Sequence, residues 1–226
     1  MRLHFLAAVW LVLALPLPAA PKKTPPSSAS KATPQDRGAD EAQAAAQRAM
    51  AAFQKGDLRA AKGDFEKVLK LAPENAAALL NLGLIAYREK SHAEAEKFLE
   101  RAVRAQPEAG PAWLMLGMVR YDQNQLDAAL AALAQAVYLL PKDARAHHYL
   151  GVTIGRKGWY LGAEDEMRKA IELQPDYSEA HFNLALFYLQ RVPPAVELAR
   201  RHYEKALALG AAPDPEVEKS LRAPPE

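Results

Sequence analysis

Apolar positions recur along this chain with two periods at once. Over short stretches they fall at i, i+3, i+4 and i+7, as Leu79, Leu82, Gly83 and Ala86 do, the stripe of an amphipathic helix. Over long stretches the stripes return every 34 residues: Ala61, Ala95, Ala129 and Ala163; Pro73, Pro107, Pro141 and Pro175; and the pairs Leu82-Gly83, Leu116-Gly117 and Leu150-Gly151. Between stripes, a polar break such as Arg88 to His92 precedes a second helix carrying Ala95, Leu99, Ala102 and Val103. That helix must end before Pro107, because the residue preceding a proline is pushed out of helical geometry. Each period therefore predicts two helices of about a dozen residues joined by a short turn. Such a unit cannot bury its apolar face alone, so the pattern predicts a stacked helical array.

The residues at fixed places in the period resemble the tetratricopeptide repeat (TPR), with its Trp, Leu-Gly, Tyr, Ala, large apolar residue and Pro. Repeat three, 110–143, carries Trp113, Leu116, Gly117, Ala129, Leu133, Ala136 and Pro141, with Tyr121 one place beyond the usual Tyr. Repeat two, 76–109, matches at Leu79, Leu82, Gly83, Ala95, Leu99, Ala102 and Pro107. Repeat four, 144–177, keeps Leu150, Gly151, Gly158, Ala163, Met167, Ala170 and Pro175 but has His147 in the Trp slot. Repeat one, 42–75, keeps Gly56, Ala61, Phe65, Val68 and Pro73 and has Arg48-Ala49 in place of Leu-Gly. Repeat five, 178–213, has Leu184, Ala185, Tyr188, Ala199, Tyr203 and Ala206, with two extra residues around Val192-Pro193-Pro194. The resemblance implies an all-α fold, a right-handed α-solenoid of about five helix-turn-helix repeats over 39–213. Asp214 and Pro215 then predict a short capping helix within 214–226, with Val217 and Leu221 turned toward repeat five.

A second stripe on each first helix is not needed by the helix pair itself. It comprises Ala46, Met50 and Phe53; Leu80, Leu84 and Tyr87; Leu114, Met118 and Tyr121; His148, Val152 and Gly155; and Phe182, Leu186 and Leu189. In TPR proteins this face lines a concave groove that holds a peptide or helix. By resemblance, Met50, Phe53, Leu80, Leu84, Tyr87, Leu114, Met118, Tyr121, His148, Phe182 and Leu186 form its floor. Arg88, Asp122, Arg145, Arg156 and Glu179 lie beside it. The alternative is that the leucines pack between repeats. Asn81 and Asn183 share a slot that binds peptide backbone in the TPR clamp for C-terminal carboxylates, but Ala46, Met50, Pro111 and Met115 replace the clamp's other residues. Trp159 follows Lys157-Gly158 in a turn and is either an exposed contact or packed beneath that turn.

The N-terminus carries a different signal. Arg2 precedes an apolar run, Leu3 to Leu17, that is shorter than the ~20 residues a membrane-spanning helix requires. With Ala19-Ala20 after it, residues 1–20 read as an export signal cut after Ala19 or Ala20; the alternative is an uncleaved membrane anchor. Residues 21–38, rich in Pro, Lys, Ser and Ala without a large apolar side chain, read as a disordered linker. Export and an Ala-rich composition point to a bacterial periplasm or secretion.

The remaining composition narrows the chemistry. A formal net charge of +2 from 29 basic and 27 acidic residues gives no footprint for nucleic acid. There are no cysteines, so thiolate metal sites and cysteine nucleophiles are excluded. His147 and His148 are adjacent, about 100° apart on a helix, so they do not form a chelating pair. His147 and His181 are expected as structural residues in the Trp113 slot. Phosphate loops, nucleophile elbows and HExxH are lacking, and Glu94, Glu96, Glu100, Glu164, Asp165 and Glu166 read as solvated faces. The expectation is a protein-binding scaffold, without catalysis, metal, cofactor or small-molecule substrate, in envelope or secretion-related assembly. The alternative is an accessory subunit that uses its convex face or its C-terminal edge.

Overall fold

The computed structural model describes residues 34–222, and among these every regular element is a helix. The export and anchor readings of 1–20, and most of the linker, lie outside the described residues. The helices are α1 (Pro34–Gln54), α2 (Leu58–Leu71), α3 (Ala76–Arg88), α4 (His92–Ala105), α5 (Gly110–Asp122), α6 (Leu126–Leu139), α7 (Ala144–Arg156), α8 (Tyr160–Leu173), α9 (Ser178–Leu189), α10 (Val196–Ala208) and α11 (Pro215–Arg222). One boundary differs from the sequence expectation. α1 opens at Pro34, so residues 34–38, assigned above to the linker, are helical. Proline suits a first helical position, where its fixed φ is already helical and its missing N–H costs nothing.

The chain divides into two compact units, and the division falls inside α5. In the first, residues 34–115, α1 pairs with α2 and α3 with α4, and α2 also packs on α3. The buried side chains are those of the short-period stripe: Ala45, Ala49, Ala61, Phe65 and Val68 in one pair, and Leu79, Leu82, Ala86, Ala95, Leu99 and Ala102 in the next. A Cβ added to Gly83 would lie 2.6 Å from Leu99 Cγ, so the glycine is what lets α3 and α4 approach. Repeat one has Ala49 in that place, fully buried, while Arg48 turns out to pair with Asp64 at 3.3 Å.

In the second unit, residues 116–222, α7 pairs with α8 and α9 with α10, with α6 against α7 and α8 against α9. Leu150, Gly151, Ala163, Met167 and Ala170 are buried in the α7–α8 pair, and Leu184, Ala185, Ala199, Tyr203 and Ala206 in the α9–α10 pair. The end of the unit is closed by α11. Asp214 Oδ1 accepts from the N–H groups of Glu216 and Val217 at 2.9 and 3.3 Å, which caps the helix as expected. Val217 and Leu221 are buried, Arg200 donates to the Leu221 carbonyl at 2.6 Å, and the Asp214 N–H donates to Tyr203 Oη at 2.7 Å.

The turns carry the same period. Residues 56, 90, 124 and 158 all have positive φ, between 60° and 82°, and are Gly, Lys, Asn and Gly. The following N–H in each case reaches back to the carbonyls of Ala52, Ala86, Arg120 and Ile154, which ends the first helix in a Schellman turn. Repeat five departs from this, as its two extra residues require. Its longer turn is tied down instead by Arg191, which donates to Glu164 at 2.8 Å, and by the Ala195 N–H, which donates to the Tyr188 carbonyl at 2.9 Å. Glu164 is wholly buried between Arg191 and Arg168, the latter also at 2.8 Å. The expectation of a solvated Glu164 is thereby corrected: the inserted turn of repeat five folds back over α8 and covers it.

Candidate functional site

The first-helix stripe is mostly enclosed. Leu80, Leu84, Phe53 and Leu114 in the first unit, and Met118, Tyr121, His148, Phe182 and Leu186 in the second, all expose less than a tenth of their surface. The cause is positional, since a first helix has neighbours on both sides, as α3 has α2 and α4. Accessible surface remains on Met50, Tyr87, Arg88, Asp122, Arg145 and Arg156. In the first unit the Arg88 guanidinium lies 4.7 Å over the Phe53 ring, and Tyr87 leans on His92 with ring centres 5.6 Å apart. Asn81 donates to the Ala77 carbonyl of its own helix at 2.8 Å.

The second unit presents a more polar face. Arg156 covers the Tyr121 ring at 5.1 Å and donates to Asn124 Oδ1 at 2.7 Å. Arg145 donates to both oxygens of Asp143, at 3.1 and 2.7 Å. Burial opposes the Asp143 charge, but those bonds and the backbone N–H groups of Arg145 and Ala146 hold its carboxyl below the usual range. His148, expected at the groove floor, has both ring nitrogens engaged, Nδ1 with Tyr177 Oη at 3.2 Å and Nε2 with Asn183 Nδ2 at 3.0 Å. Burial alone pushes its pKa down to about 3, so it is neutral and structural. Since the Asn183 amide nitrogen donates to Nε2, Nδ1 carries the proton and donates to Tyr177. Asn183 Oδ1 is buried without a hydrogen-bond partner among the described residues.

Tyr149 and Tyr177 were not among the residues expected from the sequence. Tyr149 fills the slot that holds Asn81 and Asn183 in other repeats, and Tyr177 stands in the turn between repeats four and five. Both hydroxyls are pushed up, chiefly by burial and further by carboxylates: Asp122 and Glu179 act on Tyr149, and Glu179 on Tyr177. The signal in the sequence that points to Tyr149 is that shared slot.

The Trp slot behaves as one device in three repeats. Trp113 Nε1 donates to the Pro107 carbonyl at 2.8 Å, and the Nε2 atoms of His147 and His181 meet the Pro141 and Pro175 carbonyls, each at 3.2 Å. The side-chain N–H thus satisfies a carbonyl at the end of the preceding repeat, which makes these histidines structural, as the sequence suggested. Nδ1 of His147 is held by Glu166 at 2.7 Å, so Glu166 also departs from the solvated role expected for it. Trp159 is 55% exposed, with Lys157 Nζ 5.1 Å from its ring and the exposed Leu161 two residues on.

Helix pairs, a small residue where the two helices meet, left-handed turn residues and the side-chain bond to the Pro carbonyl all recur at one period. Three tetratricopeptide repeat models match residues 46–110, 86–150 and 166–208. The chain belongs to the tetratricopeptide repeat family. Solved TPR structures share the fold. MamA is 24% identical with a TM-score of 0.67, covering 78% of this chain and 100% of its own. YrrB, described as a TPR protein with an unusual peptide-binding site, is 25% identical with a TM-score of 0.67, covering 82% of this chain and 96% of its own. PilF of Pseudomonas aeruginosa is 19% identical with a TM-score of 0.69, covering 78% and 80%. No curated protein sequence matches this TPR chain. The TPR fold marks the protein as a protein-interaction scaffold.

Proposed function

We propose that this TPR protein holds a peptide or helical segment of another protein against the accessible face of its first helices. The observation that carries this is the exposed surface of Met50 and Tyr87, on a stripe that the helix pairs do not need, and of Arg88, Arg145 and Arg156 beside it. Tyr, Met and Arg combine broad contact area with adaptable or directional ends, the composition favoured at binding surfaces. The buried leucines beneath them supply rigidity, not contact. In a selection from a random peptide library by the full-length protein, the recovered peptides should bind Tyr87→Ala/Arg88→Ala and Arg145→Ala variants more weakly by about 1–3 kcal/mol. Far-UV circular dichroism should be unchanged. Equal affinity for wild type and both variants would place binding elsewhere.

One observation favours a second reading, an accessory subunit docked through the turns of repeats four and five. Trp159, Leu161 and Val192 are 55%, 67% and 99% exposed. The C-terminal edge is the weaker half of that alternative, because α11 covers it and Leu221 is buried.

The setting we propose is the exported side of a bacterial envelope, in assembly of the envelope or a secretion machine. The charged start and short apolar run of residues 1–20 support it. Mass spectrometry of the protein from its host should give a mature N-terminus near Ala20. Recovery of intact Met1 in the membrane fraction would replace export with anchoring.

A further inference from the structure

Glu179 and Asn183 supply two acceptors in the second unit, beside the rings of Tyr149 and Tyr177. Glu179 and Asn183 are four residues apart on α9, so they share a face one turn apart. The Glu179 carboxylate, half-buried, forms no ion pair among the described residues. Asn183 is 4% exposed, and its Oδ1 is buried without a donor, although its Nδ2 is fixed 3.0 Å from His148 Nε2. An unmet buried acceptor is costly and is uncommon in folded proteins. The His148 ring lies 5.3 Å from that of Tyr149 and 4.9 Å from that of Tyr177.

A ligand that completes this group must bring donors, tolerate aromatic faces and carry positive charge. Neutral donors meet the first condition alone. An ammonium or guanidinium meets all three, through charge-assisted hydrogen bonds to the carboxylate and amide oxygens and attraction to the tyrosine rings. The Arg145 charge beside the two tyrosines is bound to Asp143 at 2.7 Å. Glu179 also suits the first turn of α9 as a helix-dipole partner, but that role explains neither the orphaned Asn183 oxygen nor the two rings.

We propose that Glu179, Asn183, Tyr149 and Tyr177 form a subsite for a Lys or Arg side chain of the bound partner segment. It rests on the peptide-binding reading above and adds to it the chemistry of one position in the partner.

The test uses the full-length protein and a random peptide library, with the affinity of selected peptides measured by fluorescence anisotropy. Wild-type selectants should share a Lys or Arg at one register. Glu179→Gln should weaken them roughly ten-fold, and replacing the peptide's basic residue by Met should do the same, with little further loss when both are changed. Glu179→Lys should shift the selection to an acidic residue at that register. Glu179 is partly exposed, so these variants retain the fold, and circular dichroism verifies it. Selectants that lack a shared basic position yet depend on Tyr87, Arg88 or Arg145 overturn the subsite and leave peptide binding intact. Selectants indifferent to all of these residues, or none at all, overturn both.

Discussion

Gly117→Leu should destabilise the second unit by at least about 3 kcal/mol, at the upper end of overpacking effects. A Cβ at Gly117 would lie 2.5 Å from Leu133 Cγ and 3.3 Å from the Leu133 backbone nitrogen. The first contact is with a branch point, not a flexible tip, and the second is with backbone, so neither can retreat without parting α5 from α6. Gly117→Ala should already cost part of this. Gly117→Leu/Leu133→Ala should recover stability relative to the single variant, because the two substitutions share one space. Urea unfolding followed by circular dichroism gives the comparison. A Gly117→Leu variant with the wild-type midpoint would show that the helices of this pair are not in the assigned register.

Acidification should loosen repeats four and five before the first unit responds. His148, with a pKa pushed down to about 3, binds fewer protons when folded than when unfolded at its ordinary 6.5. Its contribution is therefore complete above pH 6.5 and is lost as pH falls toward 3, at up to ~1.4 kcal/mol per pH unit. Burial also lowers His181, and lowers His202 to about 4, so both act with the same sign, His202 as pH falls toward 4. Geometry agrees. His181 Nδ1 and His202 Nδ1 are 2.9 Å apart and share one proton, and His181 Nε2 already faces the Pro175 carbonyl. A proton on both Nδ1 atoms would break the bond that ties α9 to α10. Hydrogen exchange at pH 7.5 and 5 should show lost protection in α7, α9 and α10, and the urea midpoint should fall. An unchanged midpoint, or first loss in α1 to α4, would contradict this. His148→Gln should flatten the profile.

The positions legible in the sequence are those whose role is set within one repeat. Gly117 and Gly83 are small because a partner helix crosses there, and Pro107 ends a helix whatever surrounds it. Asp214 caps the helix that follows it, through its own chain neighbours. The roles of His147 and His181 were legible as well, since each occupies the place of Trp113 and each bonds the carbonyl of a proline six residues back. The identity of the candidate site was less accessible. Leu80, Leu84, Phe182 and Leu186 have the spacing of an exposed stripe, yet neighbouring helices enclose them.

The 34-residue period and the residues at fixed places in it determined the all-α class, the paired helices of each repeat and the resemblance to the family, because local backbone geometry and that spacing act through residues close in the chain. Tertiary structure alone decided which first-helix side chains keep surface, that His148 is neutral between Tyr177 and Asn183, and that Glu164 is buried between two arginines. It also decided that, among the described residues, the Asn183 oxygen has no donor and Glu179 no ion-pair partner. Burial and hydrogen bonding between repeats depend on residues roughly one period apart, and a linear pattern of apolar and polar positions carries no record of which of them meet.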